Sequence, residues 1–196
     1  MGKLVTDDVS TFFTHDVHIP TRTLYVGSTV INEDGSESGT DTLMAERVIK
    51  ALHMMDQGEG DINIIMNNPG GDTLSAYAIY DAIVERKNFI SIKVYGQVMS
   101  AGTIILQAAD KRVLTPNCRF MIHYGYTALP FDHAKTNERW AEYMKREDAH
   151  MEDIYLEKIR EKHPGYKKTQ LKRLLTFDTI MFPEEAVELG LADKIE

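Results

Sequence analysis

Residues 94–110, "VYGQVMSAG" followed by "TIILQAAD", decide how this chain is read. The first part closes a β-type run, "ISIKVYG", and the second reads as a buried helix, so Ser100, Ala101 and Gly102 fall at a strand-to-helix turn. The same alternation repeats outward in both directions. "INIIM" (62–66) predicts a short buried strand, "NNPGGD" (67–72) a sharp turn and "TLSAYAIYDAIVERK" (73–87) a helix, while "RVLT" and "RFMIHYG" are extended. Upstream, "RTLYVGSTVI" is β-branched and aromatic, and the polar "NEDGSESGTD" reads as a solvated loop rather than a calcium site, because it lacks the spacing of an EF-hand. In "DTLMAERVIKALHMMD", Leu43, Met44, Val48, Leu52 and Met55 recur at helical intervals behind Thr40 or Asp41 as cap. Strands alternating with helices imply an α/β fold of right-handed βαβ units with a mostly parallel sheet.

Bulk properties narrow the function. At 196 residues and 43% hydrophobic, the chain can bury one sizeable core. A net charge of −8 argues against a nucleic-acid or anionic-membrane surface, since phosphate binding leans on clustered Lys and Arg. Cys118 is the single cysteine, so no internal disulfide is available and a reducing, cytoplasmic setting is expected. No stretch reaches the roughly 18 apolar residues of a membrane span. His15 and His18 lack a carboxylate or Cys to complete a metal site, so no metal and no cofactor is expected.

From Phe131 to His163 the chain has no Gly or Pro and is rich in helix formers. Such a helix is a rod of about 50 Å, long for a small domain, so part of it should project or pack on another subunit. Trp140, Tyr143, Met144, Met151, Ile154 and Tyr155 give it more apolar surface than an isolated rod would carry. The final helix, "PEEAVELG", opens on Pro and stops at Gly, before "LADKI" closes the chain.

Sites in open α/β sheets lie at the carboxyl ends of strands, where "NNPGG", "GQVMSAG" and "MIHYG" should converge. A serine at a strand-to-helix turn exposes its hydroxyl beside a helix N-terminus, whose free N–H groups favour an oxyanion. Ala101 and Gly102 let a substrate backbone approach, and the Gly70-Gly71 pair can turn amides into the same space. His123 is the best placed base. For the carboxylate that would orient it, Asp132, Asp178 and Asp193 stay open.

On "DINIIMNNPGGD", "YGQVMSAGTIILQAADKRVLTPNCRFMIH" and "FDTIMFPEEAVELGLADKI", in that order, the chain resembles the proteolytic subunit of the ATP-dependent Clp protease, a serine peptidase with the ClpP/crotonase fold. The resemblance implies repeated, spirally arranged β-β-α units in one domain over 22–196, an N-terminal segment over 1–21 as a flexible or axial loop, and a handle at about 124–163. It implies Ser100 as nucleophile, His123 as general base, Asp178 as orienting carboxylate, and Gly70 and Ala101 as oxyanion donors. Gly71, Asp72 and Tyr124 would touch an extended polypeptide substrate, which would also pair with the segment leading into the long helix. Heptameric rings, singly or as a stacked tetradecamer, and an AAA+ unfoldase partner are implied too.

The chain departs from that family at several points. The family's Gln-Pro and glycine pair after the base are replaced by "YGYTALP", and Phe177 stands where an Arg is common. Positions expected to receive unfoldase loops, near Asn63, Ile65 and Glu85, are not aromatic, as in a divergent member. Two rivals keep the fold. A crotonase-like acyl-CoA enzyme would need carboxylates near "NNPGG", where only Asp72 stands, and a non-catalytic ring subunit would lack one of the three side chains.

Overall fold

The computed structural model describes residues 6–28, 38–55, 58–126 and 133–196. In chain order the elements are α1 (Thr6–His15), β1 (Val17–His18), β2 (Thr23–Val26), α2 (Thr42–Met55), β3 (Ile62–Asn68), α3 (Thr73–Val84), β4 (Ile90–Met99) and α4 (Ala101–Gln107). They continue with β5 (Lys111–Leu114), β6 (Arg119–Ile122), α5 (Ala134–Lys162), α6 (Lys168–Leu175), β7 (Thr179–Met181), α7 (Pro183–Leu189) and β8 (Lys194–Ile195). The sheet runs β1-β2-β3-β4-β5-β8, parallel from β2 onward, so the fold is the α/β arrangement with a mostly parallel sheet and a long helix expected from the sequence.

β4 is the element on which the site depends. Its first half, Ser91 to Val94, pairs with β5, and its last three residues, Gln97 to Met99, pair instead with β6. The change of partner falls at Gly96, where φ is +68° and the β3–β4 register shifts between Met66 and Asn68. Glycine adopts that angle without Cβ strain, so the strand can bend there and leave the plane of β5. β7 then joins β6 antiparallel, pairing Ile122 with Thr179.

Alternation along β3 buries Ile62, Ile64, Met66 and Asn68 and leaves Asn63 and Asn67 exposed. Against the buried face α2 packs Met44, Ala45, Val48, Ala51, Leu52 and Met55. Leu43, expected inside, is 45% exposed. Helix geometry explains it: five residues before Val48, Leu43 lies roughly 140° around the axis from it, while Asp41 Oδ1 caps the helix by accepting the Met44 N–H at 2.8 Å. Thr40, the other cap candidate, is fully buried and bridges to Gly71.

α5 spans 29 residues, about 44 Å. Met151, Ile154, Tyr155, Leu156 and Ile159 are buried, Tyr143 and Met144 are half-buried, and Trp140 is exposed, so the C-terminal half docks on the body and the N-terminal half stands out from it. Residues 131 and 132 of the expected helix lie outside the described residues. α6 has no counterpart in the sequence reading; only Leu171 and Leu175 are buried in it, and two apolar positions one turn apart are too few to mark a helix by periodicity. α7 starts at Pro183 and ends at Gly190, φ +91°, as the capping residues required. Among the described residues no helix is long and apolar enough to cross a membrane.

Candidate active site

Strand order explains why residues far apart in sequence meet. β4 and β6 are parallel, with Met99 opposite Met121, so the residues that follow both strands emerge at the same edge. Those residues are Ser100 and, one step beyond Ile122, His123. Because β7 runs antiparallel to β6 with Thr179 opposite Ile122, the residue before Thr179 faces the residue after Ile122. That residue is Asp178.

The side chains complete the row. His123 Nε2 is 2.8 Å from Ser100 Oγ, and its Nδ1 is 2.8 Å from Asp178 Oδ1. An ionised carboxylate only accepts, so the Nδ1–H donates to Asp178 and Nε2 is left to accept the serine hydroxyl. The imidazole is 13% exposed and the Asp178 side chain 52% exposed.

Ser100 is held at φ +50°, ψ −128°, a conformation that costs a non-glycine residue about 1–3 kcal/mol and persists only where its surroundings impose it. Its N–H donates to Met121 O at 2.8 Å. Its carbonyl accepts from Thr103 N at 2.9 Å and from Thr103 Oγ1 at 2.6 Å. Thr103 Oγ1 also lies 2.6 Å from the hydroxyl of Tyr155, which is wholly buried on α5. The long helix thus braces the turn that presents the serine.

The Gly70 expectation needs correction. Its N–H donates to Asn68 Oδ1 at 2.8 Å and is not available to an oxyanion. The bridge to Thr40 uses Gly70 O, accepting from Thr40 N at 2.6 Å, and Asp72 N, donating to Thr40 O at 2.8 Å, and leaves the Gly71 N–H uncommitted among the described residues. Ala101, first residue of α4, likewise has an amide without an intrahelical acceptor. Gly71 and Ala101 thus each offer an uncommitted amide in the lining of the cavity that holds Ser100.

Gly71, Asp72, Tyr124, Ser100, Ala101 and His123 all line one cavity of about 460 Å³. Within it, Asp72 caps α3, accepting from Ser75 N at 2.7 Å and Ser75 Oγ at 2.6 Å. Tyr124 points its hydroxyl away from Ser100 to Glu152 Oε1, 2.6 Å off, where burial and then this hydrogen bond hold the phenol well above its usual range. A larger groove, about 850 Å³, passes Lys162, His163 and Ile180 but among the described residues holds no serine or cysteine beside a base. Of the other carboxylates considered, Asp193 is bound by Arg112 through both its oxygens and Asp132 lies outside the described residues. Among the described residues no group of His, Cys, Asp and Glu is placed to hold a metal.

Asn68 escaped the sequence reading. Fully buried, it donates from Nδ2 to Gly27 O at 3.2 Å and to Thr40 Oγ1 at 3.0 Å, besides accepting from Gly70. It also explains Gly102, because a Cβ there would fall 2.6 Å from Asn68 Oδ1. In "NNPGG" nothing distinguishes a buried asparagine from a turn asparagine, so no sequence signal marked it.

A mostly parallel α/β sheet with a long helix behind the strand-end site is the architecture of the Clp proteolytic subunits. The chain belongs to the Clp protease family: the family model of that description matches residues 35–196. It is 31% identical over 178 residues to the ATP-dependent Clp protease proteolytic subunit of Deinococcus radiodurans, with 89% of this chain and 79% of that one covered. Membership supports a peptidase.

Proposed function

We propose that the protein is a serine endopeptidase in which Ser100, His123 and Asp178 form the catalytic relay. Ser100 Oγ attacks a peptide carbonyl while His123 Nε2 takes its proton, and Asp178 holds the imidazole in the required tautomer and stabilises the imidazolium that forms. The oxyanion is held by the amides of Gly71 and Ala101, each such donor being worth roughly a hundredfold in rate or more. His123 then protonates the leaving amine, and water activated by the same imidazole hydrolyses the acyl-enzyme. The observation that carries this reading is the pair of 2.8 Å contacts joining the three side chains in a chain of this family.

Residues 22–196 act as one peptidase unit that works on polypeptides inside a homo-oligomeric ring, heptameric or doubled, in the cytoplasm. The half-exposed α5 and exposed Tyr95 and Phe89 give a ring apolar surface to cover. An ATPase docking at Asn63 and Glu85 would meet an exposed amide and a carboxylate already paired to Arg86 at 2.9 Å, beside the exposed Val84. Hydrolysis of unstructured peptides by the purified oligomer tests the activity: Ser100→Ala should abolish it and leave the particle mass unchanged. Undiminished cleavage by that variant would place the nucleophile elsewhere, and no cleavage by the unaltered protein would favour a non-catalytic ring subunit.

A further inference from the structure

The wall of the Ser100 cavity carries charge that peptide hydrolysis does not itself require. Glu147 and Asp148 of α5 line it together with Asp72, and among the described residues His123 is the basic side chain in the lining. Asp72 is already engaged in capping α3. Much of the remaining lining is aromatic and apolar, with Tyr77, Tyr143, Met144 and Met151 contributing. Helical spacing accounts for this face: Met144, Glu147, Asp148 and Met151 recur at three- and four-residue steps on one side of α5. Tyr77 fixes that side by donating to the Glu147 carbonyl at 3.4 Å and by stacking a tilted ring on His150 at 4.8 Å.

Two lysines behind the carboxylates do not line the cavity. Lys168 and Lys172 reach Glu152, which is 2% exposed, at 3.1 Å and 3.4 Å. Burial, then the neighbouring Glu152, push the Asp148 carboxyl above its ordinary range despite the opposing pull of Lys172. A cation brought into the cavity would relieve that repulsion, while its methylenes would lie along the tyrosine and methionine walls. A leucine in the same place would strip water from two carboxylates without pairing them, and an acidic residue would add like charge.

We infer that this cavity receives a lysine or arginine side chain of the substrate, at the residue whose carbonyl Ser100 attacks, with Glu147 and Asp148 as the specificity-determining residues. The inference rests on the serine peptidase reading above and adds its substrate class. The test uses the assembled protein and fluorogenic peptides that differ only at the residue before the scissile bond: Arg, Lys, Leu or Glu. kcat/KM should be about tenfold higher for Arg and Lys than for Leu, and lowest for Glu, as one added charge contact allows. The double variant Glu147→Gln, Asp148→Asn should lose that tenfold advantage, the Arg and Lys rates falling to that of Leu or below it, while an unchanged far-ultraviolet circular dichroism spectrum reports a folded protein. Leu equal to or above Arg, or an Arg-to-Leu ratio untouched by the double variant, would overturn the inference and leave the peptidase reading standing. No turnover of any peptide, with no fluorophosphonate adduct on Ser100, would overturn both.

Discussion

A Cβ placed on Gly70 would lie 2.7 Å from the Cβ of Ser100, and Gly70 itself sits at φ +102°. Gly70→Ala therefore meets two penalties, a backbone angle that L residues resist and a contact that pushes on the serine. We expect a loss of about 2–4 kcal/mol in stability and, in the folded fraction, at least a roughly hundredfold fall in peptide cleavage from the displaced hydroxyl. Gly165→Ala is the control, since nothing lies within 4 Å of its added Cβ. Chemical unfolding and peptide turnover, measured side by side, check both, and equal behaviour of the two variants would contradict the packing argument.

Asp178 and Asp193 should separate rate from stability. The Asp178 side chain is half exposed and contacts His123, so Asp178→Asn should cost roughly 10³-fold or more in turnover and less than about 1 kcal/mol in stability. Asp193 instead neutralises Arg112, whose side chain is 6% exposed and also donates to Gln107 Oε1 and the Gly190 carbonyl. Asp193→Asn should cost about 3 kcal/mol by leaving a buried cation underpaired and leave turnover per folded molecule within about twofold. The reverse pattern would exchange their roles.

Glu152 predicts a pH response in the acid limb. Burial raises its carboxyl, but the Tyr124 hydroxyl and the two lysines outweigh that, so the folded pKa lies below the ordinary 4.5. A carboxyl depressed in the folded state contributes stability that is present above its unfolded pKa and lost as pH falls through the folded one. Tyr124→Phe removes one of the depressing contacts, so the midpoint of acid unfolding should move to higher pH, with about 1.5–3 kcal/mol lost at neutral pH. Acid titration followed by near-ultraviolet circular dichroism reads the shift, and an unmoved midpoint would contradict the role given to this contact.

Ser100 and His123 were legible because each follows a strand whose apolar run is evident, and parallel strands end at a common edge. Asp178 was not. Its place depends on β7, three residues long and preceded by a helix with two buried positions, and neither is visible as periodicity. Only resemblance selected it. The Gly70 amide was misread for a related reason: it is already committed to the Asn68 side chain, a tertiary contact that residue type does not announce. Leu43 shows the limit of counting apolar residues, since five positions from Val48 it falls on another face of the helix and is exposed.

The most direct measurement is covalent: treat the assembled protein with a fluorophosphonate and locate the adduct by peptide mass spectrometry. One adduct per chain on Ser100, lost or slowed at least roughly a hundredfold in His123→Ala, is the expected result. An adduct on another serine, or labelling of Ser100 that is indifferent to His123, would contradict the relay on which the proposed function stands.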